Sequence, residues 1–467
     1  MRSFFVLISA GVLAAADPLP NDTGYRGIWY MNQPTNDAYT YKYSGGLGTY
    51  PANHMPYAVY AAAVNRTFFV YGGAKEGENG ALLEMVSYYD HATGEVPRPT
   101  ILLDKQTNDA HDNPVIALDS AGHIWVFASA HGTARPAYIF RSDAPYRVDA
   151  FTRVLETNFS YPQPWYLSGR GFLFLHTRYK GGRGLCWQTS ADGIIWTEPH
   201  VLAHVEEGHY QVSWPYGGKV GTAFNYHPTA FQGDKEKRGL NWRTNLYYLE
   251  TDDFGETWRT VRGEPVATPI TEARNPALVL ETESKGWLVY TCDVNYDEQG
   301  RPLILFVAAR HWKPGPDTGP REWRVARWTG AEWNVHTIAP ADHNYDMGSL
   351  YVEPGEWRII APTDAGPQPY CTGGELALWT STDEGTTWRK VRDITRNSEY
   401  NHTYARRPLS AHADFYTVWA DGNALAPSNS RLYYTNRDGS GVWQLPERMI
   451  DDTARPLQIE GGPATAR

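Results

Sequence analysis

YYLETDDFGETW, Tyr247–Trp258, runs from alternating apolar residues into a polar turn and closes on a tryptophan. The same spelling returns in LCWQTSADGIIW (Leu185–Trp196) and LALWTSTDEGTTW (Leu376–Trp388). Weaker copies are RLYYTNRDGSGVW (Arg431–Trp443) and ARWTGAEW (Ala326–Trp333). The alternation makes the first half a strand. In the second half the aspartate accepts hydrogen bonds from turn amides and the glycine takes a conformation other residues avoid. The tryptophan then plugs the space between neighbouring sheets. Asp192, Asp253 and Asp383 are expected in equivalent turns.

These turns resemble the Asp-box turns of sialidase-type β-propellers, a structural motif that carries no chemistry. Between them lie paired apolar segments that read as inner hairpins. They begin near Pro56, Pro114, Pro164, Gln211, Pro276, Gly348 and Pro408. Seven such hairpins, at spacings of roughly 50–70 residues, match one four-stranded blade each. The expected fold is all-β, a seven-bladed β-propeller. No Pro/Ser/Gly-rich linker interrupts Tyr25–Pro446, so 17–467 is read as one catalytic domain. The polar tail Asp451–Arg467 is expected to be loosely held.

In a propeller the innermost strand starts at the face where the second strand ends, so residues at those two places in every blade ring one pocket. The stretch DAHDNPVIALDSAGHIWVFASAHG (Asp109–Gly132) sets His111 and His131 at the two ends of one hairpin. The other blades offer His54 and Tyr71, then Tyr161 and Arg178, then Tyr210 with Tyr226 or His227. They continue with Arg274 and Asp293, His343 and Tyr345, and Arg406 or Arg407. A polar residue ahead of a strand often only caps it. Here every blade puts His, Tyr or Arg at that place, where random loop ends favour Ser, Asp, Gly and Asn.

Composition narrows the partners. A net charge of −10 disfavours a nucleic acid gripped through a broad basic surface, so an acidic substrate must be met by a few local arginines. Eighteen tryptophans and 31 tyrosines suit a large β core and platforms for sugar rings alike. Residues 1–16 read as an export signal: Arg2, the apolar Phe4–Val12 and the small Ala14–Ala16. The apolar run is too short to span a bilayer. Four Asn-x-Ser/Thr sequons (Asn21, Asn65, Asn158, Asn401) fit a secretory route. Three cysteines permit at most one bridge and show no zinc-cluster spacing. The reading is a secreted, monomeric protein without a membrane span.

The pocket set is rich in His, Tyr and Arg and poor in carboxylates. An ordinary glycosidase needs two carboxyl groups. A sialidase adds an Arg-Ile-Pro segment and a zinc hydrolase an HExxH, and neither is present. β-Elimination from a uronate needs a cation on the carboxylate, a base for the C5 proton and an acid for the C4 oxygen. Arginine, histidine and tyrosine suffice, and no cofactor is demanded.

YSGGLGTYPANHMPYAVY, HDNPVIALDSAGHIWVF, FLFLHTRY, GHYQV, TAFNYHP and YARRPLSAHADFYTVWADGN, in that order, resemble segments of BNR-type seven-bladed propeller lyases. That group includes ulvan lyases and L-rhamnose-α-1,4-D-glucuronate lyases. The resemblance implies β-elimination at an L-rhamnosyl-α-1,4-D-glucuronate bond in an acidic rhamnose-containing polysaccharide. It implies catalytic roles for His111, His131, Tyr161 and Arg178. His54, Tyr210, Tyr226, Arg274, His343, Tyr345 and Arg407 are the expected substrate-binding residues. It also admits a structural Ca²⁺ or Zn²⁺, for which the residues specify no ligand set. Related propeller α-L-rhamnosidases, working through a histidine near His54, form the rival reading, and a non-catalytic carbohydrate-binding propeller forms a third.

Overall fold

The computed structural model describes residues 18–47, 53–75, 81–229 and 239–459; the expected export signal lies outside them. Seven antiparallel sheets follow one another along the chain, each ordered from its innermost strand outward. Their innermost strands are Ala58–Ala61, Pro114–Leu118, Ser160–Leu167, Gln211–Tyr216, Leu288–Tyr296, Ser349–Glu353 and Asn401–Arg406. The arrangement is a seven-bladed β-propeller. No helix among the described residues is long and apolar enough to cross a membrane. The three cysteines are buried and free.

The repeated turns behave as their chemistry requires. Asp192 accepts from the amides of Ile194 and Ile195, both at 2.9 Å, while Gly193 N donates to Ser190 Oγ. Asp253 accepts from Thr257 N at 2.8 Å and Asp383 from Thr387 N at 2.9 Å. Gly193 and Gly255 have φ of 75° and 91° and lie directly on the indoles of Trp125 and Trp187, one blade back. A Cβ on Gly193 would stand 2.3 Å from the Trp125 ring, so glycine is needed for closeness as well as for φ. Trp196 packs against Phe127 of blade two and Phe174 of blade three, which fills the wedge between them.

Two hairpins start elsewhere than expected. The fifth inner strand begins at Leu288, not near Pro276. The apolar run after Pro276 is instead a short edge strand, Leu278–Leu280, half-buried against blade four. It has the apolar spelling of an inner strand without the two-sided burial. The seventh inner strand is Asn401–Arg406, ahead of Pro408. Its polar spelling hides a strand in which every residue is buried. Asn401 is therefore no exposed sequon, for its amide donates to Gln368 O at 2.9 Å.

Blades one and seven share no strand. The N-terminal segment laces them: Gly27 bridges both Gly73 and Ser430, and Tyr25 N donates to Pro446 O at 2.8 Å. The described part of the tail expected to be loose, up to Ile459, completes the closure; 460–467 lie outside the described residues. Thr453–Ala454 pairs with Val96–Pro97, and Leu457–Ile459 adds an edge strand to blade seven. Exposed strand edges at the seam are what the tail satisfies.

The interblade contact is testable with two glycines of like φ. Gly169 has φ of 77° and open space where its Cβ would go. Gly193→Ala is expected to lose about 1–3 kcal/mol more stability than Gly169→Ala, the overpacking cost against Trp125. Equal losses in chemical denaturation would show the contact to be slack.

Candidate active site

Asp109 organises the site. It caps the 3₁₀ turn Ala110–Asp112, accepting from His111 N at 3.0 Å, and so fixes the chain just ahead of the second inner strand. Its Oδ1 also accepts from His111 Nδ1 at 2.5 Å, and its Oδ2 accepts from His131 Nδ1 at 2.7 Å. The two imidazoles stack at 4.0 Å with 13° between planes. The hairpin thus brings both ends together as its topology demands, and one carboxylate holds both rings in a single tautomer. Each ring donates from Nδ1, which leaves the lone pair on Nε2.

A second layer fixes Asp109. Arg135 takes Asp112 in a two-pronged contact, Nε and Nη2 each at 2.8 Å, and reaches Asp109 Oδ2 at 3.4 Å. Lys105 approaches the buried Asp112 at 3.5 Å. Burial would raise the Asp109 carboxyl, but the two histidines outweigh it and hold it far below the carboxylate range. Burial, then the neighbouring His131, lowers His111 below its ordinary 6.5. The cluster at neutral pH is a carboxylate carrying a neutral His111.

Tyr161 lies within the third inner strand, not ahead of it. A bulge between Ser160 and Gln163 gives it φ of 54°, which re-aims the side chain. Its hydroxyl is 2.6 Å from that of Tyr179, and its ring is 6.0 Å from His111 and 5.9 Å from His54. Burial, then Tyr179 and Tyr210, raise Tyr161 well above the usual phenol value, so it keeps its proton. His54 Nε2 donates to the carbonyl of His111 at 2.9 Å and is fully buried.

The remaining expected residues divide. Tyr210 joins the cluster, 5.6 Å from Tyr161, with Arg183 at 5.8 Å and Arg243 at 4.9 Å over its ring. Tyr345 joins under Arg243, 4.8 Å away, with His343 behind it at 5.5 Å. Tyr226 turns away toward blade four's outer strands, where its hydroxyl donates to Glu283 at 2.5 Å. The next residue, His227, packs on Tyr210 at 4.9 Å in its place. Arg178 alternates onto the face toward blade two. There it donates to Asn158 O at 3.2 Å and lines a groove of about 480 Å³ with Arg135 and Tyr179. Arg274 is exposed on the blade-four excursion, because the hairpin expected after it starts later. Arg407 sits past the end of the seventh inner strand, paired with Asp293 at 2.8 Å over the Trp214 ring. Asp293 itself lies within the fifth inner strand, not after a second one.

Residues outside the expected set complete the pocket. The hairpin Tyr30–Pro34/Tyr41–Gly45 lies over the mouth. Its Tyr30 edge meets His111 at 5.4 Å, and its Tyr43 lies 5.2 Å from Tyr345. Lys42, buried, sits 5.6 Å from the Tyr345 ring and is held well below the ordinary lysine value by burial, then by Arg243 and Arg183. Two arginines and a lysine therefore converge beside the histidines and tyrosines. The signal for Asp109 was present as Asp-Ala-His at the head of the hairpin. Lys42, Arg183 and Arg243 carry no local signal, since they come from a covering hairpin, the first residue of a third strand and the residue just ahead of another.

Asp109, His111 and His131 place three ligand-type atoms within 4.8 Å of one another, a set able to hold a metal ion. The hydrogen bonds from both Nδ1 atoms already satisfy the carboxylate, so an ion at those atoms would displace them.

Asp109→Asn tests the dyad. An amide cannot accept from both imidazoles, so turnover is expected to fall about a hundredfold or more with little change in Tm. Asp109 raises the His111 pKa, so its removal should also move the titration of the His111 ring, followed by NMR, to lower pH. An unshifted ring titration with near-normal rates would remove Asp109 from the machinery.

A family model described as a BNR repeat-containing family member matches residues 85–341. An ulvan lyase of Alteromonas sp. (strain LOR) is 22% identical over 435 residues, 83% of this chain and 85% of that one. An ulvan lyase of Nonlabens ulvanivorans is 22% identical over 358 residues, 68% and 72% of the two chains. The solved structure of a PL25 ulvan lyase superposes with a TM-score of 0.71 at 17% identity, covering 90% of this chain and 96% of that one. A second structure, at 16% identity and the same TM-score, holds that fold bound to -[GlcA(1-4)Rha3S]-.

Proposed function

The chain belongs to the BNR repeat-containing family, and we propose that it is a polysaccharide lyase cleaving L-rhamnosyl-α-1,4-D-glucuronate linkages by β-elimination. The observation that carries this reading is the histidine pair on Asp109 facing a protonated tyrosine, with Arg183, Arg243 and Lys42 beside them. The ulvan lyases it resembles, one of them solved bound to -[GlcA(1-4)Rha3S]-, support a sulfated, rhamnose-containing acidic polymer as the substrate. Export through residues 1–16 is consistent with a polymer too large to enter a cell.

The steps follow from the side chains. Arg183, Arg243 and Lys42 meet the uronate carboxylate and stabilise the enolate-like charge that grows as C5 loses its proton. His131 is the base: its side chain is 33% exposed, against 1% for His111, and its Nε2 lone pair is unclaimed. His111 shares the carboxylate and keeps the pair in register. Tyr161, with Tyr179 at its hydroxyl, protonates the departing C4 oxygen. A glycosidase is less well served, because Asp109 and Asp112 are taken up by the histidines and Arg135. A rhamnosidase acting through His54 meets a buried ring whose Nε2 proton is spent on a backbone carbonyl.

Incubation with rhamnose–glucuronate polymers should generate the ultraviolet absorbance of an unsaturated uronate. His131→Ala is expected to abolish it, with His54→Ala reducing it less. Release of rhamnose without that absorbance, lost in His54→Ala, would establish the hydrolase instead. Arg183→Lys should lower kcat/KM about a hundredfold, since lysine lacks the planar fork, while Arg178→Lys should cost less than tenfold. The reverse order would move the carboxylate into the Arg178 groove.

A further inference from the structure

A second cluster of metal-type ligands lies away from the pocket, at the seam between blades one and seven. His91 follows the third strand of blade one, Leu82–Asp90, where its amide donates to Asn65 O at 3.1 Å. His412 and Asp414 sit on the loop between the two inner strands of blade seven, Asn401–Arg406 and Thr417–Gly422. That loop is pinned to blade one: Leu409 N donates to Ala58 O at 2.8 Å, and Tyr60 N donates to Leu409 O at 3.0 Å.

The rings of His91 and His412 approach to 3.9 Å, yet no hydrogen bond joins them. His91 Nε2 is 2.8 Å from the Thr67 hydroxyl; with that oxygen accepting, the lone pair lies on Nδ1. This Nδ1 is buried and has no hydrogen-bond partner. An orphaned buried nitrogen is costly unless something fills its place. His412 Nδ1 accepts from Asp414 N at 3.2 Å, so its lone pair is on Nδ1 as well, 3.7 Å from Asp414 Oδ2. The three residues offer ligand atoms within 4.8 Å of one another. Tetrahedral zinc with bonds near ~2.0–2.1 Å needs ligand atoms roughly 3.4 Å apart, which side-chain rotation of the half-buried His412 and exposed Asp414 supplies.

We propose that His91, His412 and Asp414 bind a divalent transition-metal ion, zinc in preference to calcium or magnesium, and clip blade seven to blade one. Two imidazoles and one carboxylate form a borderline nitrogen–oxygen set, whereas calcium and magnesium require mostly oxygen ligands. Thr67 is the outer partner that orients a metal-bound imidazole. The ion's function here is structural, since the site stands at a closure that no shared strand secures.

The test uses tag-free, full-length protein stripped with chelator and titrated with ZnCl₂ by calorimetry, with Tm read in parallel. One equivalent of Zn²⁺ is expected to bind and to raise Tm, while CaCl₂ and MgCl₂ leave Tm unchanged. His412→Ala should erase the Tm rise and weaken binding by more than the roughly 10–100-fold seen on losing a ligand's outer partner. Asp414→Asn, on an exposed side chain, should weaken it in the same sense and serves should His412→Ala fold poorly. His131→Ala should bind Zn²⁺ as the parent does. Absence of binding at micromolar Zn²⁺ would overturn the proposal. So would binding that survives both seam substitutions, or binding lost in His131→Ala, which would assign the ion to the catalytic cleft.

Discussion

The pocket exists only because the ring closes. Its groups come from separate sheets and from a hairpin laid across them, so their mutual distances are set by how the blades meet. Closure rests on backbone hydrogen bonds from a short N-terminal segment, with Gly27 bridging Gly73 on one side and Ser430 on the other. Each such bond contributes only about 1 kcal/mol net. The seam therefore relies on several weak contacts in parallel, including the tail strands Thr453–Ala454 and Leu457–Ile459. Elsewhere the box glycines Gly193 and Gly255 sit on indole faces of the preceding blade.

Within that frame the chemistry is governed by charge placement. The chain carries a net charge of −10, yet Lys42, Arg183 and Arg243 gather where its histidines and tyrosines meet. Burial first, and then the like charges of Arg243 and Arg183, lower Lys42, and an incoming anion relieves the repulsion among them. Asp109 does not neutralise them; both its oxygens are engaged by imidazoles. The carboxylate opposes the burial and the neighbouring His131 that lower His111, and it stabilises the imidazolium once a proton is taken. The same residue that begins the second blade's strand thus sets the tautomer of both rings.

One backbone irregularity aims the pocket. Tyr161 sits at positive φ in a bulge of the third inner strand. Without the bulge, strict alternation would carry the Tyr161 ring out of the centre and away from Tyr179. For a bulky residue in this region the strain is of order 1–3 kcal/mol, held by the surrounding sheet.

The repeat was legible in the chain because an Asp-box turn is local: Asp192, Asp253 and Asp383 satisfy amides within four residues of themselves. For the same reason the pairing of His111 with His131 could be read directly, since one hairpin must bring its two ends together. The start of the fifth blade could not, because Leu278–Leu280 and Leu288–Tyr296 share an apolar spelling and only burial on both faces separates them. Nor could the placing of Arg183 beside Tyr179 and Tyr210, with Arg178 turned toward Asn158, which depends on which sheet face each residue occupies. The strands and turns are thus properties of neighbouring residues. The cation cluster, the fall of Tyr226 and Arg274 outside the pocket, and the hairpin across its mouth were decided by tertiary packing, because contacts between residues far apart in sequence leave no periodic trace along the chain.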